Sequence, residues 1–202
     1  KNQYGIRGIL LLASCWLAVA TVSAQSGRIG WFWQNPLPQG NDLNAVVAFS
    51  PLRAVIAGSA GTVLTTSDGG AHWSLLQGVS DRNLAIKSLY FLDGLRGYAV
   101  GDSGTILYTS NSGASWVKRS SSIRTVSFND VSFAMSDLGW IVGDNGVILR
   151  STSGGTTWEP QQTPTFKNLL SVHFISQSTV FASGQLGTII RSSNGGVVWD
   201  TL

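Results

Sequence analysis

Few residues of this sequence could do chemistry, and they are spread over the whole chain. His72 and His173 are its two histidines, and Cys15 is its one cysteine. A zinc site needs several such ligands close together, so the sequence predicts no metal site and no cofactor. Glu159 is the one glutamate. Hydrolysis of a glycosidic bond needs two carboxylates flanking that bond, and no such pair is evident here.

Four glycine pairs resemble loops that cradle a phosphate. Each has the spacing Gly-x-x-Gly, and they are Gly58 and Gly61, Gly101 and Gly104, Gly143 and Gly146, and Gly184 and Gly187. A phosphate cradle requires a helix whose first amides face the anion, and no helical pattern follows any pair. Asp102 and Asp144 share a place in two of these turns and could form an acidic pair on one rim. The turn preferences of aspartate explain these two residues as well, so the four glycine pairs predict hairpin turns.

These turns belong to a sequence repeat. Trp73, Trp116, Trp158 and Trp199 are separated by 43, 42 and 41 residues, and the paired glycines keep the same intervals. A third landmark, formed by Ala48, Phe91, Phe133 and Phe174, does so too. A period of roughly 40 to 50 residues with strand-like content is typical of β-propeller blades.

One unit of the repeat reads as four strands. Phe128–Phe133 alternates apolar and polar residues as an inner strand does, and Trp140–Gly143 is short and β-branched. Asp144–Gly146 predicts a tight turn before a third strand at Val147–Arg150, and Trp158 opens an outer strand. The sequence therefore predicts an all-β fold, a β-propeller of four-stranded blades. Such a sheet buries both faces only by stacking against its copies.

The repeats place the blades at about 43–80, 81–122, 123–165 and 166–202. Because the last unit stops three residues after Trp199, we expect it to be truncated and the ring to be incomplete, with exposed edge strands. Residues 25–42 lead into the repeats. They form either an N-terminal strand that closes the ring or an ordered lead-in that packs Trp31 and Trp33 on the first blade.

Residues 1–24 have the layout of a secretory signal peptide. Lys1 and Arg7 flank an apolar run, and Val22-Ser23-Ala24 offers small residues for cleavage, which predicts a mature protein that begins at Gln25. Two alternatives are a lipoprotein cleavage box ending at Cys15 and an uncleaved anchor. All three predict export to the periplasm, a lumen or the cell surface.

Composition excludes several function classes. The formal charge is +3, but without Lys1 and Arg7 only 11 basic residues face 10 acidic ones. This balance predicts no nucleic-acid partner, which would require clustered lysine and arginine. With 43% hydrophobic residues, 11% charged residues and 24 glycines, the chain is typical of a turn-rich β protein.

The turn before each tryptophan resembles the Asp-box, or bacterial neuraminidase repeat, with the pattern Ser/Thr-x-Asp-x-Gly-x-Thr-Trp. The matching residues are Thr66, Asp68, Gly70 and Trp73; Thr109, Asn111, Gly113 and Trp116; Ser151, Ser153, Gly155 and Trp158; and Ser192, Asn194, Gly196 and Trp199. Aspartate, asparagine and serine can each hydrogen-bond backbone amides of a turn, so loss of the aspartate is tolerated. The resemblance implies structural boxes on the outer rim.

Together with Gly-x-x-Gly-Thr-Ile-Leu before each box, the repeat resembles the photosystem II stability/assembly factor family. That resemblance covers the chain from about Trp31 and implies a lumenal or periplasmic seven-bladed propeller that binds reaction-centre precursors partly through arginines. Arg150 and Arg191 share one repeat phase and are the candidate binding residues, with Tyr108 and Thr65 in the other copies.

We therefore predict a non-catalytic, exported module that binds a protein. The family resemblance implies that this partner is an unassembled membrane-protein segment. The binding positions of the module would lie on the inner strands, where Ala45, Ser88, Asp130 and Ser171 share one phase, with Lys87, Tyr90, Asn129 and His173 beside them. The alternative is a sialidase-like or Asp-box glycoside hydrolase that binds carbohydrate. Its catalytic residues would then lie in further blades.

Overall fold

The computed structural model describes residues 40–76, 79–80 and 84–202. Within these ranges the repeats form four antiparallel sheets, each with four strands in sequence order. We number the sheets blades 1–4. Their strands are β1 Leu43–Ser50, β2 Arg53–Gly58, β3 Val63–Thr66 and β4 Ser74–Leu76; β5 Ile86–Phe91, β6 Gly97–Gly101, β7 Thr105–Thr109 and β8 Val117–Arg119; β9 Phe128–Phe133, β10 Gly139–Gly143, β11 Ile148–Ser151 and β12 Glu159–Pro160; and β13 Leu169–Phe174, β14 Val180–Gly184, β15 Ile189–Ser192 and β16 Asp200–Thr201.

The predicted all-β architecture of four-stranded blades is confirmed, and the four sheets do not close into a ring. The tryptophans of the repeat take equivalent places, each directly before the outer strand of its blade. No helix in the described ranges is long and apolar enough to cross a membrane. The predicted signal peptide at residues 1–24 and residues 25–39 of the predicted lead-in lie outside the described residues, and both remain predictions.

The second and third strands of each blade are joined by one turn of 3-10 helix. These turns are Ser59–Gly61, Asp102–Gly104, Asp144–Gly146 and Gln185–Gly187. We expected a positive φ at the final glycine of the turn. The residue before it also takes a positive φ, between 51° and 57°, although it is alanine, serine, asparagine or leucine. The turn therefore places two successive residues in the left-handed region, a costly conformation for non-glycine residues that the flanking strands hold in place.

Three hydrophobic cores lie between successive blades. The core between blades 2 and 3 contains Tyr98, Ile106, Phe133 and Trp158, all at most 5% exposed. Tyr98 stacks on Phe133 with 4.8 Å between ring centroids, and Trp158 meets the Phe133 ring edge to face at 5.6 Å. Equivalent clusters join blades 1 and 2 and blades 3 and 4. Blades 2 and 3 thus each bury one face on the preceding blade and the other on the following blade.

A close contact in each interface joins a box glycine to the second strand of the preceding blade. Gly113 faces Val55, Gly155 faces the Tyr98 ring, and Gly196 faces the Trp140 indole. A Cβ on any of these glycines would overlap the opposing side chain. We call this contact the glycine socket. It explains why the second box glycine persists in blades 2, 3 and 4 while the acidic residue does not.

Blade 4 has no following sheet among the described residues, and its forward face is correspondingly open. Phe181 stands at the repeat position of Tyr98 and Trp140 but is only half-buried. Ile189 is 47% exposed, whereas Ile148, its equivalent in blade 3, is 1% exposed. The same repeat position is therefore core or surface depending on whether a blade follows.

The glycine socket predicts a large difference between two glycine-to-alanine substitutions. Gly155 and Gly187 have φ values of +73° and +72°, but only Gly155 faces a side chain, whereas nothing lies within 4 Å of a Cβ at Gly187. Both variants should lose roughly 1–2 kcal/mol through the left-handed backbone. Gly155→Ala should lose roughly 1–3 kcal/mol more, because its methyl overpacks against Tyr98. Denaturant unfolding measures both, and equal losses would contradict the socket.

Candidate functional site

The inner strands carry a row of polar side chains that runs across blades 2, 3 and 4. Its centre is Asp130 on β9, flanked by Ser88 on β5 and Ser171 on β13. Asp130 Oδ1 accepts the Ser88 hydroxyl at 2.7 Å, and Oδ2 accepts the Ser171 hydroxyl at 3.0 Å. One carboxylate thus links three blades. We call Ser88, Asp130 and Ser171 the inner row.

Two backbone amides complete the bonding of the Asp130 carboxylate. Val131 N donates to Oδ1 and Val172 N donates to Oδ2, both at 2.9 Å. Each oxygen therefore accepts one hydroxyl and one amide, and charge-assisted bonds of this kind are stronger than bonds between neutral groups. A carboxylate held in this way is suited to positioning the strands rather than to accepting a proton from a substrate.

A β-bulge near the start of each inner strand inserts one extra residue, and in blades 1–3 its side chain reaches the next blade. The pairing of every inner strand shifts at this point, and the extra residues are Asn44, Lys87, Asn129 and Leu170. Asn44 Nδ2 donates to the carbonyl of Ile86, and Asn129 Nδ2 donates to that of Leu169, both at 2.8 Å. Bulges commonly re-aim side chains in this manner. The alternation of apolar and polar residues in the sequence did not indicate these bulges.

Lys87 and Asn129 also connect the two turn aspartates. Lys87 Nζ lies 3.2 Å from Asp102 Oδ1 and donates to Asn129 Oδ1 at 3.1 Å. Asn129 Nδ2 donates in turn to Asp144 Oδ1 at 2.9 Å. The aspartates therefore belong to a continuous chain of polar contacts with a lysine and an asparagine between them. That arrangement fits the turn interpretation better than a facing acidic pair.

Tyr90 and His173 differ in how much they can offer a partner. The Tyr90 hydroxyl donates to the Phe133 carbonyl at 2.7 Å, and burial raises the pKa of Tyr90. His173 is exposed on blade 4, with its ring stacked on Phe174 at 5.4 Å. Tyr90 therefore joins two blades, while His173 and Ser171 remain accessible at the end of the inner row.

The two candidate arginines lie on the forward faces of blades 3 and 4. Arg150 is half-buried, and its Nε donates to the Gly195 carbonyl in the box of blade 4 at 2.7 Å. Arg191 has the same place on blade 4 and is exposed. Arg150 therefore helps to join two blades, whereas Arg191 is free to meet solvent or a partner along its exposed surface.

The four boxes share one pattern of hydrogen bonds. The first hydroxyl accepts the amide of the box glycine at 2.8–3.0 Å in all copies: Thr66 from Gly70, Thr109 from Gly113, Ser151 from Gly155, and Ser192 from Gly196. The third residue accepts an amide four positions later at 2.9 Å in all copies: Asp68 from His72, Asn111 from Ser115, Ser153 from Thr157, and Asn194 from Val198. Aspartate, asparagine and serine are thus interchangeable in this role.

The first box keeps an ionisable pair on the surface. Asp68 accepts the His72 amide, and its other oxygen lies 2.6 Å from His72 Nδ1. The amide bond first, then the ring bond and a weaker one from Thr66, lower the pKa of Asp68 to about 2. Neither histidine meets further ligands, since no group of three or more potential metal-binding side chains occurs in residues 40–76, 79–80 and 84–202.

Comparison with known protein families identifies the family to which this chain is related. The family described as Photosynthesis system II assembly factor YCF48 matches residues 81–162 and 119–202. The chain belongs to this family. A search of curated proteins found no match.

Solved structures of the same architecture include members of the YCF48 family. YCF48 bound to a D1 peptide has a TM-score of 0.52 at 16% identity and covers 82% of this chain and 83% of that chain. YCF48 from Cyanidioschyzon merolae has a TM-score of 0.61 at 18% identity, over 82% of this chain and 57% of that chain. A GH74 xyloglucanase from Xanthomonas campestris has a TM-score of 0.57 at 16% identity, over 74% of this chain but 28% of that chain. At these identities the likeness establishes the fold alone.

In this member of the YCF48 family, the inner row predicts that Asp130→Asn is destabilising. An asparagine presents one oxygen and one NH₂ group, so the NH₂ faces the amide of Val131 or Val172 and one buried donor loses its acceptor. We expect a loss of about 1–3 kcal/mol in the free energy of unfolding. Asp137→Asn, the same change at an exposed turn, should be nearly neutral. Similar losses for the two variants in denaturant unfolding would show that Asp130 does not link the blades.

The first box predicts a specific dependence of stability on acid. Because the folded pKa of Asp68 is lowered from 3.8 to about 2, its contribution to stability is present above the unfolded value of 3.8 and is lost as the pH falls towards 2. Asp68→Asn should keep the bond to the His72 amide, as Asn111 does to Ser115, but should lack this titration. The unfolding midpoint of the variant should therefore fall less between pH 5 and pH 2.5. If the unfolding midpoints of the variant and the unchanged chain fall equally over this pH range, Asp68 is not the group responsible.

Proposed function

We propose that this chain is an exported, non-catalytic propeller that binds a segment of an unassembled membrane protein and assists its assembly. The observation that carries the proposal is the inner row, whose side chains are held in fixed positions by hydrogen bonds between blades. Fixed polar groups lose little conformational freedom when a partner binds, which favours recognition. Membership of the YCF48 family and the D1 peptide bound to a relative support a peptide as the partner.

The exposed end of the inner row offers suitable groups for an extended peptide. Ser171 and His173 are exposed on β13, and Arg191 is exposed on the forward face of the same blade. Hydroxyl, imidazole and guanidinium groups can donate to peptide carbonyls and carboxylates. Aromatic, arginine and polar side chains are common in protein interfaces. We therefore assign the peptide to blade 4, with Lys87 and Asn129 extending the surface towards blade 2.

A glycoside hydrolase is the second candidate, and the likeness to a GH74 xyloglucanase is the observation that favours it. Such an enzyme needs a carboxylic acid and a carboxylate on either side of the scissile bond. Asp130, Asp102 and Asp144 lie near the inner strands. Asp130 accepts a hydrogen bond from Ser171 of blade 4, Asp102 accepts one from Ser127 just before β9, and Asp144 accepts one from Asn129 of its own blade. Glu159 opens an outer strand instead. The geometry therefore supports binding better than hydrolysis.

Peptide titration with matched histidine variants tests the proposal. The full chain is titrated with a fluorescent D1 peptide and with a scrambled peptide of the same composition. His173→Ala and Arg191→Ala should each weaken binding of the D1 peptide about 5-fold or more, consistent with loss of an interface hydrogen bond. His72→Ala alters an exposed histidine on the outer box and should leave binding unchanged. Binding of the D1 peptide by the unchanged chain should also weaken as salt is added, because salt screens the charge of the exposed Arg191.

Three outcomes would contradict this function. Equal affinity for the D1 and scrambled peptides would remove the specificity, and equal effects of His173→Ala and His72→Ala would remove blade 4 from the site. Release of reducing sugar from xyloglucan, abolished by neutralising one inner carboxylate in a folded variant, would favour the hydrolase. Arg150→Ala is unsuitable as a binding test, because loss of its bond to Gly195 should also lower stability.

Export is the remaining part of the proposal, and it depends on residues 1–24. Mass spectrometry of the protein recovered from outside the cytoplasm should give a mature N-terminus at Gln25. A lipid-modified chain that begins at Cys15 would instead place the propeller on a membrane surface. The peptide titration does not depend on whether the mature N-terminus is Gln25 or Cys15.

A further inference from the structure

One end of blade 4 carries three large apolar side chains that face solvent. Phe166 is 91% exposed, Leu186 is 84% exposed and Leu170 is 51% exposed. Phe166 lies in the connection from blade 3, Leu170 follows the first residue of β13, and Leu186 lies in the turn between β14 and β15. We call these three residues the apolar tip. Large apolar side chains that are exposed together, rather than singly, mark sites of interaction.

A hydrogen bond joins the two segments that form the apolar tip. The carbonyl of Asn168 accepts the amide of Gln185 at 2.9 Å. Phe166 and Leu170 each lie two residues from Asn168, and Leu186 directly follows Gln185. The tip is at the end of blade 4 where β13 begins, whereas the box of this blade follows the other end of β15. The three side chains therefore emerge from one small area, at the opposite end of the strands from the box.

The backbone beneath the apolar tip is held in place by the blade 3 turn. The Oδ1 atom of Asn168 accepts the amide of Asn145 at 3.0 Å. A Cβ on Gly146 would lie 3.3 Å from the Cα of Phe166, so the connection packs closely on this turn. The Phe166 ring thus projects from a backbone that is fixed. A side chain that projects from a fixed backbone loses less freedom on binding than one on a loose loop.

The other blades carry polar or small residues at the positions of the apolar tip. Arg124 lies against the last glycine of the blade 2 turn, as Phe166 does against that of blade 3. The place of Leu170 is taken by polar residues at the other bulges, and that of Leu186 by small or polar residues in the other turns: Asn44, Lys87 and Asn129, and Ala60, Ser103 and Asn145. Folding of a blade therefore does not require an apolar side chain at any of these positions.

Leucine is also an unfavourable residue for the backbone conformation at position 186. The φ of Leu186 is +57°, in the left-handed region, and Asn145 has the same φ in the blade 3 turn. Asparagine adopts this region more readily than leucine does. Because the Leu186 side chain is 84% exposed, burial within the chain does not compensate for this cost. A contact outside the chain accounts for the leucine better than folding does.

The charged side chains beside the apolar tip are mainly basic. Lys167, next to Phe166, is exposed, and so is Arg191 on β15. The sequence has no aspartate or glutamate at residues 163–170 or 185–191. Asp144, in the turn against which Phe166 packs, accepts a hydrogen bond from Asn129 at 2.9 Å. Apolar side chains flanked by cations are complementary to a membrane surface with anionic lipids.

We propose that the apolar tip inserts into the headgroup region of a membrane that contains anionic lipids. Phe166 and Leu186 would enter the boundary between headgroups and acyl chains, with the half-exposed Leu170 at its edge and the Lys167 ammonium group among the phosphates. The three side chains project outwards from a connection and a turn, which suits insertion into a lipid surface. None of them belongs to the inner row, so membrane binding and peptide binding can fail separately.

Vesicle flotation of the full chain is the first arm of the test. Vesicles of phosphatidylcholine alone are compared with vesicles of equal parts phosphatidylcholine and phosphatidylglycerol. The triple variant Phe166→Gln, Leu170→Asn and Leu186→Asn should float with the anionic vesicles about 10-fold less than the unchanged chain, because binding scales with the apolar area that is buried. Lys167→Gln should reduce the preference for the anionic vesicles, because it removes charge alone.

A matched control removes three exposed apolar side chains from the other end of the strands. Leu52 and Leu95 are each 58% exposed and Ile175 is 71% exposed, and they lie one to a blade in blades 1, 2 and 4. The variant Leu52→Gln, Leu95→Gln and Ile175→Asn should float as the unchanged chain does. All variants keep residues 1–24, so any flotation that those residues cause is common to them.

A polarity-sensitive dye reports on the tip independently of residues 1–24. Cys15→Ser removes the one native thiol, and the dye is attached to Gln185→Cys, an exposed position beside Leu186. Its emission should shift to shorter wavelength when anionic vesicles are added, because the dye enters a less polar environment. The same dye at Leu95→Cys, at the other end of the strands, should not shift.

Denaturant unfolding separates loss of membrane binding from loss of folding. Leu186→Asn alone should be at least as stable as the unchanged chain, because asparagine tolerates the left-handed backbone, and should still float about 3-fold less. Absence of flotation by the unchanged chain, equal flotation of the triple variant, or equal dye shifts at both positions would overturn the proposal. If the triple variant loses the D1 peptide and the unchanged chain does not bind vesicles, the tip contacts a protein instead.

Discussion

The contact on which the rest of the structure depends is the seating of a box glycine on the second strand of the preceding blade. A four-stranded sheet with two apolar faces is unstable in water until both faces are covered. The box turn brings Gly155 against Tyr98 and places Trp158 beside Phe133 in the same step. The hydroxyl of Ser151 holds the turn in shape by accepting the Gly155 amide. Hydrogen bonds within the box turn therefore determine how one blade packs on the preceding one.

The same constraint explains which parts of the fold could be predicted from the sequence. Residues that serve every blade must recur, so glycines and tryptophans at fixed intervals located the strands, the turns and the boxes. The strands begin and end within a residue or two of the expected places, as with β11 at Ile148–Ser151 against the expected Val147–Arg150. The predicted tolerance of the acidic box position has a direct cause, because oxygen acceptors of three residue types take the same amide at 2.9 Å.

The candidate site was less predictable because it depends on features that do not recur. Asp130 is the one acidic residue at its phase, and nothing in the spacing indicates that its two oxygens reach blades on both sides. The bulges at Lys87 and Asn129 interrupt the regular alternation of side chains along a strand. The direction of these two side chains could therefore not be predicted from the sequence. Arg150 and Arg191 look alike in sequence, but a following blade turns one into a structural donor and leaves the other exposed.

These features together describe a scaffold with a fixed frame and a variable inner surface. The boxes and sockets set the distance between blades, and the inner row uses that distance to hold polar groups at defined positions. We propose that a peptide partner binds there, at blade 4. Chemical-shift mapping of the ¹⁵N-labelled chain with a D1 peptide tests it most directly. Binding at blade 4 should perturb amides along β13 and at neighbouring positions of β9 and leave the four boxes unchanged. Perturbations confined to the boxes and outer strands would rule out this binding site.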